Sequence, residues 1–177
     1  AGELLGEKGF QASSGGYTDA ASYASSLANG ADELGRTPLM WAAYANFNSE
    51  ERLAETDKKR AEFAELLIRN GADAAAMDKD GWTALMWASW SGLPLVAERA
   101  AEAGAPISSA DAQGNTALML AAMRGNADIV RFLAAKKADK DAVNKAGKRA
   151  ADLAADNLAR YPKKTADYRE IIDLLGV

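Results

Sequence analysis

The sequence contains neither cysteine nor histidine. The first absence excludes a disulfide framework, a thiolate nucleophile and a sulfur-ligated metal. The second removes imidazole general-base chemistry and any Ser-His triad. Long apolar runs are also missing. The longest, such as Ala117 to Met123, fall far short of the roughly 18 residues that a membrane-spanning helix needs. Positive charge is not in excess: the net charge is -4 and the pI ≈ 5.0, which gives no general attraction to nucleic acid or to an anionic membrane. Carboxylates are plentiful, but they follow turn positions and helix faces. No pair converges by sequence on one site where it would perform acid–base work, so the chain reads as a non-enzyme with no cofactor.

Of the 177 residues, 49% are hydrophobic, many of them alanine, and only 7% are aromatic. That is enough chain to bury one continuous core, and an alanine-rich core favours closely packed helices over sheets. The chain begins Ala1-Gly2, as either a chain matured by removal of a leader or a trimmed one. Small residues after a cleavage site favour export to the periplasm, with a cytoplasmic location as the alternative.

The chain is organised by a period. Gly81 is followed by Trp82-Thr83-Ala84-Leu85-Met86, and Gly114 by Asn115-Thr116-Ala117-Leu118-Met119. These glycines are 33 residues apart, and Gly147 lies another 33 on. Gly35, followed by Arg36-Thr37-Pro38-Leu39-Met40, carries the same signature. A fixed period of this length marks a repeat array. Each unit predicts a turn and two short helices joined at a glycine: Thr83 to Ser91 and Leu93 to Ala103 about Gly92, then Thr116 to Arg124 and Ala127 to Lys136 about Gly125. Two insertions break the period. One, roughly Asn46 to Lys58, is charged and helix-prone, with Asn48 or Ser49 as a cap, and predicts a lengthened helix rather than a loop. The other, of about nine residues, lies around Asp156 to Thr165.

Before Gly35 the pattern is weaker. Leu4, Leu5 and Phe10 suit one face of a short helix, and Ala12 to Gly16 reads as a turn. Thr18 or Asp19 caps a predicted helix across Ala20 to Ala28, ended by Gly30 in the left-handed conformation. Asn29-Gly30-Ala31-Asp32 matches Asn70-Gly71-Ala72-Asp73, so this segment reads as a degenerate first unit that caps the stack.

These residues resemble the ankyrin repeat family. Its opening pattern, Asp-x-x-Gly-x-Thr-Pro-Leu-His-x-Ala, stands here as D-E-L-G-R-T-P-L-M-W-A, D-K-D-G-W-T-A-L-M-W-A and D-A-Q-G-N-T-A-L-M-L-A. Gly71-Ala72-Asp73 matches the closing signature. Met40, Met86 and Met119 replace the family histidine, trading a polar staple for packing. The resemblance implies an all-α solenoid of about four repeats with short β-turn fingers. Its parts are an N-terminal cap over residues 1–34, repeats over 35–77, 78–110 and 111–143, and a C-terminal repeat over 144–177.

The family implies a protein partner held on a concave surface of finger tips and first helices. The positions that fall there are Arg36, Lys79, Asp80, Trp82, Gln113, Asn115, Lys145 and Lys148 from the fingers. Tyr44, Trp90, Ser91, Met123, Arg124, Asp156 and Asn157 come from the first helices. Tyr44, Trp90 and Met123 hold one repeat position and predict a row across neighbouring units. With Trp82 they form the sharpest candidate site, since Trp, Tyr and Arg dominate interface hot spots. Arg36, Lys79, Asp80, Asn115 and Arg124 complete it.

Trp41 and Trp87, three residues earlier, are expected in the core, as are the three methionines. Asp78-Lys79-Asp80-Gly81 faintly suggests a calcium loop, but Asp32, Asp78 and Asp111 recur at one repeat position and turn bonding accounts for them better. The C-terminal bases (Lys136, Lys137, Lys140, Lys145, Lys148, Arg149, Arg160, Lys163 and Lys164) read as a solvated end cap rather than an acid-binding stripe. Two other roles fit the same residues: an exported inhibitor or immunity protein that neutralises a toxic or wall-modifying enzyme, and a structural scaffold. Neither the partner's identity nor an oligomeric state follows from the sequence.

Overall fold

The computed structural model describes residues 20–44 and 51–176, with the side chains of residues 25–44 and 56–176. The expected helix at Leu4, Leu5 and Phe10, the turn at Ala12 to Gly16, and the caps Thr18 or Asp19 and Asn48 or Ser49 lie outside the described residues. Within them, helices follow in the order α1 (Ala20–Asn29), α2 (Pro38–Ala43), α3 (Glu51–Arg69), α4 (Ala84–Ser91), α5 (Pro94–Glu102), α6 (Ala117–Arg124), α7 (Ala127–Ala135) and α8 (Ala150–Leu158). A 3-10 turn at Pro162–Lys164 then leads into α9 (Thr165–Leu175). The helices stack in two rows. One runs α2, α4, α6, α8; the other runs α3, α5, α7, α9. No helix could bury its apolar stripe alone, and stacking joins the stripes into one core of Ala, Leu, Met and Ile side chains.

The period has a stereochemical cause. Gly35, Gly81, Gly114 and Gly147 all take positive φ, between 70° and 81°, a region that costs any residue with a Cβ. Each N–H closes a turn by donating to the backbone carbonyl of the residue three before it: Asp32, Asp78, Asp111 and Asn144. The side chains of the same four residues each accept two other backbone N–H groups through Oδ1, those of Leu34 and Arg36, Asp80 and Trp82, Gln113 and Asn115, Ala146 and Lys148. Successive fingers are then joined by Lys79 N–H to Leu34 O, Ala112 N–H to Asp80 O and Lys145 N–H to Gln113 O, at 2.9–3.0 Å.

Three of the four row-one helices start alike. Thr37, Thr83 and Thr116 accept the N–H of Met40, Met86 and Met119. All three methionines are buried. At Met40 packing is not the whole account, because its sulfur accepts the Thr37 N–H at 3.4 Å and keeps a weak version of the staple. At α8, where Arg149 replaces threonine, the carboxylate of Asp152 reaches back to the Arg149 N–H instead.

The charged insertion is helical from Glu51 onward and makes α3 the longest helix, 19 residues. Its added turns carry Asp57, 3% exposed, whose oxygens accept the N–H groups of Leu95 and Val96 at the start of α5. Arg60, one turn on, donates to Trp41 O and Ala42 O at the end of α2. The lengthened helix therefore supplies caps for two other helices. At the N-terminal end, the Asn29 side chain bridges to Gly71 O and Asp73 N–H, both at 2.7 Å. Gly30 does not take the left-handed conformation expected of it. The helix instead closes through Gly30 N–H to Ser26 O.

Candidate functional site

Of the expected row, Tyr44 and Trp90 do not meet directly; Trp87 and Trp82 stand between them, and Met123 takes no part in the ring contacts. Tyr44 meets Trp87 edge to face at 5.3 Å between ring centroids. Trp87 leans on Trp82 at 4.5 Å, and Trp82 meets Trp90 at 5.9 Å. At the near end Trp41 meets Tyr44 at 6.1 Å. These offset and T-shaped geometries are the ones the ring quadrupoles favour. Five aromatic residues from two neighbouring units thus form one ladder.

A guanidinium closes each end. Arg36 lies 4.2 Å over Trp41 and Arg124 lies 4.6 Å over Trp90, both within cation–π range. Arg36 is held there by its ion pair with Asp32 at 2.9 Å. Burial tends to raise the Asp32 carboxyl, but hydrogen bonds from Arg36 and from Leu34 N–H outweigh it and hold the group below the usual carboxylate range.

Trp41 and Trp87 were expected in the core. Trp41 is instead 41% exposed, and Trp87 is half-buried on the ladder. The position explains this. The residues that occupy it in the next two units, Leu120 and Leu153, are buried, at 1% and 8% exposure. An indole is too large for that slot and is displaced toward the finger face. For Trp87 a polar contact fixes the displacement, since its indole N–H donates to Asp78 Oδ2 at 3.0 Å. Asp78 thereby accepts from two backbone amides and one indole.

The remaining candidates separate into two kinds. Lys79 and Asp80 are exposed at a finger tip beside the ladder. Asn115 is engaged at both ends of its amide, donating to Asp111 Oδ2 at 3.1 Å and accepting from Asn144 at 2.8 Å, and so knits two fingers together.

Beyond Arg124 the ladder opens into a groove of ≈ 560 Å³ between α6, α8 and the link into α9. Trp90 and Met123 face it from one side, and Leu153, Arg160 and Tyr161 from the other. Its floor is fixed by Tyr168, whose hydroxyl donates to Met123 O at 3.0 Å, and by Asn157, whose amide donates to the same oxygen at 3.1 Å. Burial raises the Tyr168 phenol above its ordinary pKa, which keeps it a donor. Tyr161 has no counterpart in the periodic reading because it lies on the second insertion. The available signal was Leu158, which stands where the 33-residue register places glycine in the units of Gly92 and Gly125.

A model of the ankyrin repeat matches residues 34–79, and one of ankyrin repeats in three copies matches 95–175. The chain belongs to the ankyrin repeat family. Together the two matches span well over half of the chain, and ankyrin repeats are protein–protein interaction modules, generally without enzymatic activity. Among the described residues no helix is long and apolar enough to cross a membrane.

Proposed function

We propose that this ankyrin repeat protein is a non-enzymatic binding module that holds a protein partner on the face formed by its fingers and first helices. The ladder of Trp41, Tyr44, Trp87, Trp82 and Trp90 carries the reading. A protein gains little by leaving Trp41 and Tyr44 exposed side by side, at 41% and 36%, unless a partner covers them. Rings packed edge to face lose little freedom on binding, so their burial converts to affinity at low entropic cost. Met123 extends the apolar surface, and Arg36 and Arg124 place charge at its rim.

Affinity capture from the source organism tests this with two baits, the wild type and the Tyr44→Ala/Trp90→Ala double variant. A partner retained by the wild type and lost by the folded double variant is the expected result. Equal retention by both baits would overturn the concave-face assignment.

A further inference from the structure

The groove beyond Arg124 differs in character from the ladder. Its walls bring together four cations, Arg124, Lys148, Arg160 and Lys164, and one acid, Asp156. Two of these cations have local tasks. Lys148 pairs with Asp156, which leaves no unpaired carboxylate on the walls, and Lys164 donates to Arg124 O at 3.0 Å at the end of α6. Arg124 and Arg160 have no carboxylate within ion-pair distance among the described residues, and both are exposed. The molecule as a whole is acidic, so a local excess of unpaired positive charge is not a general feature of its surface. Arg124 also lies 4.6 Å over the Trp90 ring, a contact that engages its charge through the indole and uses none of its N–H donors on a carboxylate. Between these donors lie apolar surfaces, Leu153 and the 49% exposed ring of Tyr161.

We propose that the groove takes an acidic peptide segment of the protein partner. Carboxylates would lie against Arg124 and Arg160, and an apolar side chain between Tyr161, Leu153 and Met123. Charge complementarity selects this occupant. The proposal rests on the protein-binding reading and deepens it: the ladder supplies apolar area, and the groove selects partners by charge. The second insertion is what creates the specificity. It replaces the tight glycine joint of the regular units with a link long enough to carry Arg160 and Tyr161 to the wall.

Panning a random peptide library displayed on phage over three immobilised proteins provides the test: wild type, Arg124→Glu/Arg160→Glu, and Tyr44→Ala. Folding of each variant is checked by circular dichroism and its Tm. Peptides enriched by the wild type and lost on the charge-reversed variant should be rich in Asp and Glu. As free fluorescent peptides they should bind the charge-reversed variant about tenfold more weakly than wild type, and weaken as salt rises. Enrichment of peptides without acids, equal recovery on the charge-reversed variant, or tighter binding of a single-stranded oligonucleotide would each overturn the proposal. Neutral peptides lost on Tyr44→Ala alone would sink the acidic groove but leave the ladder reading standing. Enrichment that depends on neither variant would count against both.

Discussion

The carboxylate of Asp57 accepts the backbone N–H of Leu95 at 3.0 Å and that of Val96 at 3.3 Å, so a side chain on α3 caps a helix in the next unit. The first residues of α5 have no cap of their own, because Leu93 supplies no side-chain acceptor. Asp57→Ala should therefore cost about 1 kcal/mol in urea unfolding. Asp57→Asn, which keeps one acceptor, should cost less.

The same contact carries a pH signature. Burial pushes the Asp57 carboxyl above its ordinary value, the two amide donors oppose the shift, and the nearby charge of Glu98 adds to it. An acid whose pKa is raised on folding gives its full stabilisation below its unfolded value and loses it as pH rises through the folded one. Stability of the wild type relative to Asp57→Asn should thus fall over the window that opens at the unfolded value near about pH 4 and ends above the raised folded one. Urea midpoints of the two proteins that run parallel across that window would contradict this.

Gly114 and Gly147 occupy one repeat position, and alanine should distinguish them. Both have positive φ, 80° and 70°, so each substitution pays the left-handed cost of roughly 1–2 kcal/mol. A Cβ on Gly114 would also lie 3.1 Å from the backbone nitrogen of Lys145 in the next finger, whereas one on Gly147 meets nothing within 4 Å. Gly114→Ala should lower Tm more than Gly147→Ala. Equal losses would mean that finger-to-finger contact adds nothing to the turn itself.

These glycines show why the architecture was legible. A turn that needs positive φ, with an acid or amide three residues before it, leaves a mark at every recurrence, and 33 residues of spacing suffice to name the stack. Tyr44, Trp82 and Trp90 could be placed on a face because they sit in that register. Trp41 and Trp87 could not, since register reports which way a residue points and not whether the slot is large enough; Leu120 fits where an indole does not. Asp57 and Tyr161 lie on insertions, which have no register, and Arg60 lies just beyond the first, on the same lengthened helix. Their partners Leu95, Trp41 O and the groove wall are set only when the lengthened segments fold against neighbouring units.

Arg60, just beyond the first insertion, offers a second test of the lengthened helix α3. Its guanidinium donates to Trp41 O and Ala42 O, at 3.0 and 3.1 Å, and so satisfies carbonyls at the end of the six-residue helix α2. Burial lowers its pKa, and its Nε is buried without a partner among the described residues. The site is therefore not optimised for charge, and the two carbonyl contacts are its justification. One contact is exposed and the other half-buried, so Arg60→Leu should cost about 0.5–1.5 kcal/mol, the net worth of an ordinary hydrogen bond. Because α2 carries Trp41, the same variant should alter the near-ultraviolet circular dichroism of the tryptophans. A stability loss with unchanged tryptophan signals would separate the cap from the ladder.

The ladder's value to a partner depends on its being rigid before binding, and that property is measurable without knowing the partner. Tyr44 and Trp87 come from different units and meet at 5.3 Å, nearly perpendicular, at 87°. A double-mutant cycle of Tyr44→Ala and Trp87→Ala on urea stability isolates their coupling, since the loss of the Trp87–Asp78 hydrogen bond is common to both arms and cancels. A fixed edge-to-face pair predicts a coupling of about 0.5–1.5 kcal/mol. Rings that merely share an exposed surface predict none. In that case Tyr44 would have to be ordered by the partner itself, and its contribution to affinity would be reduced by the entropy of ordering it.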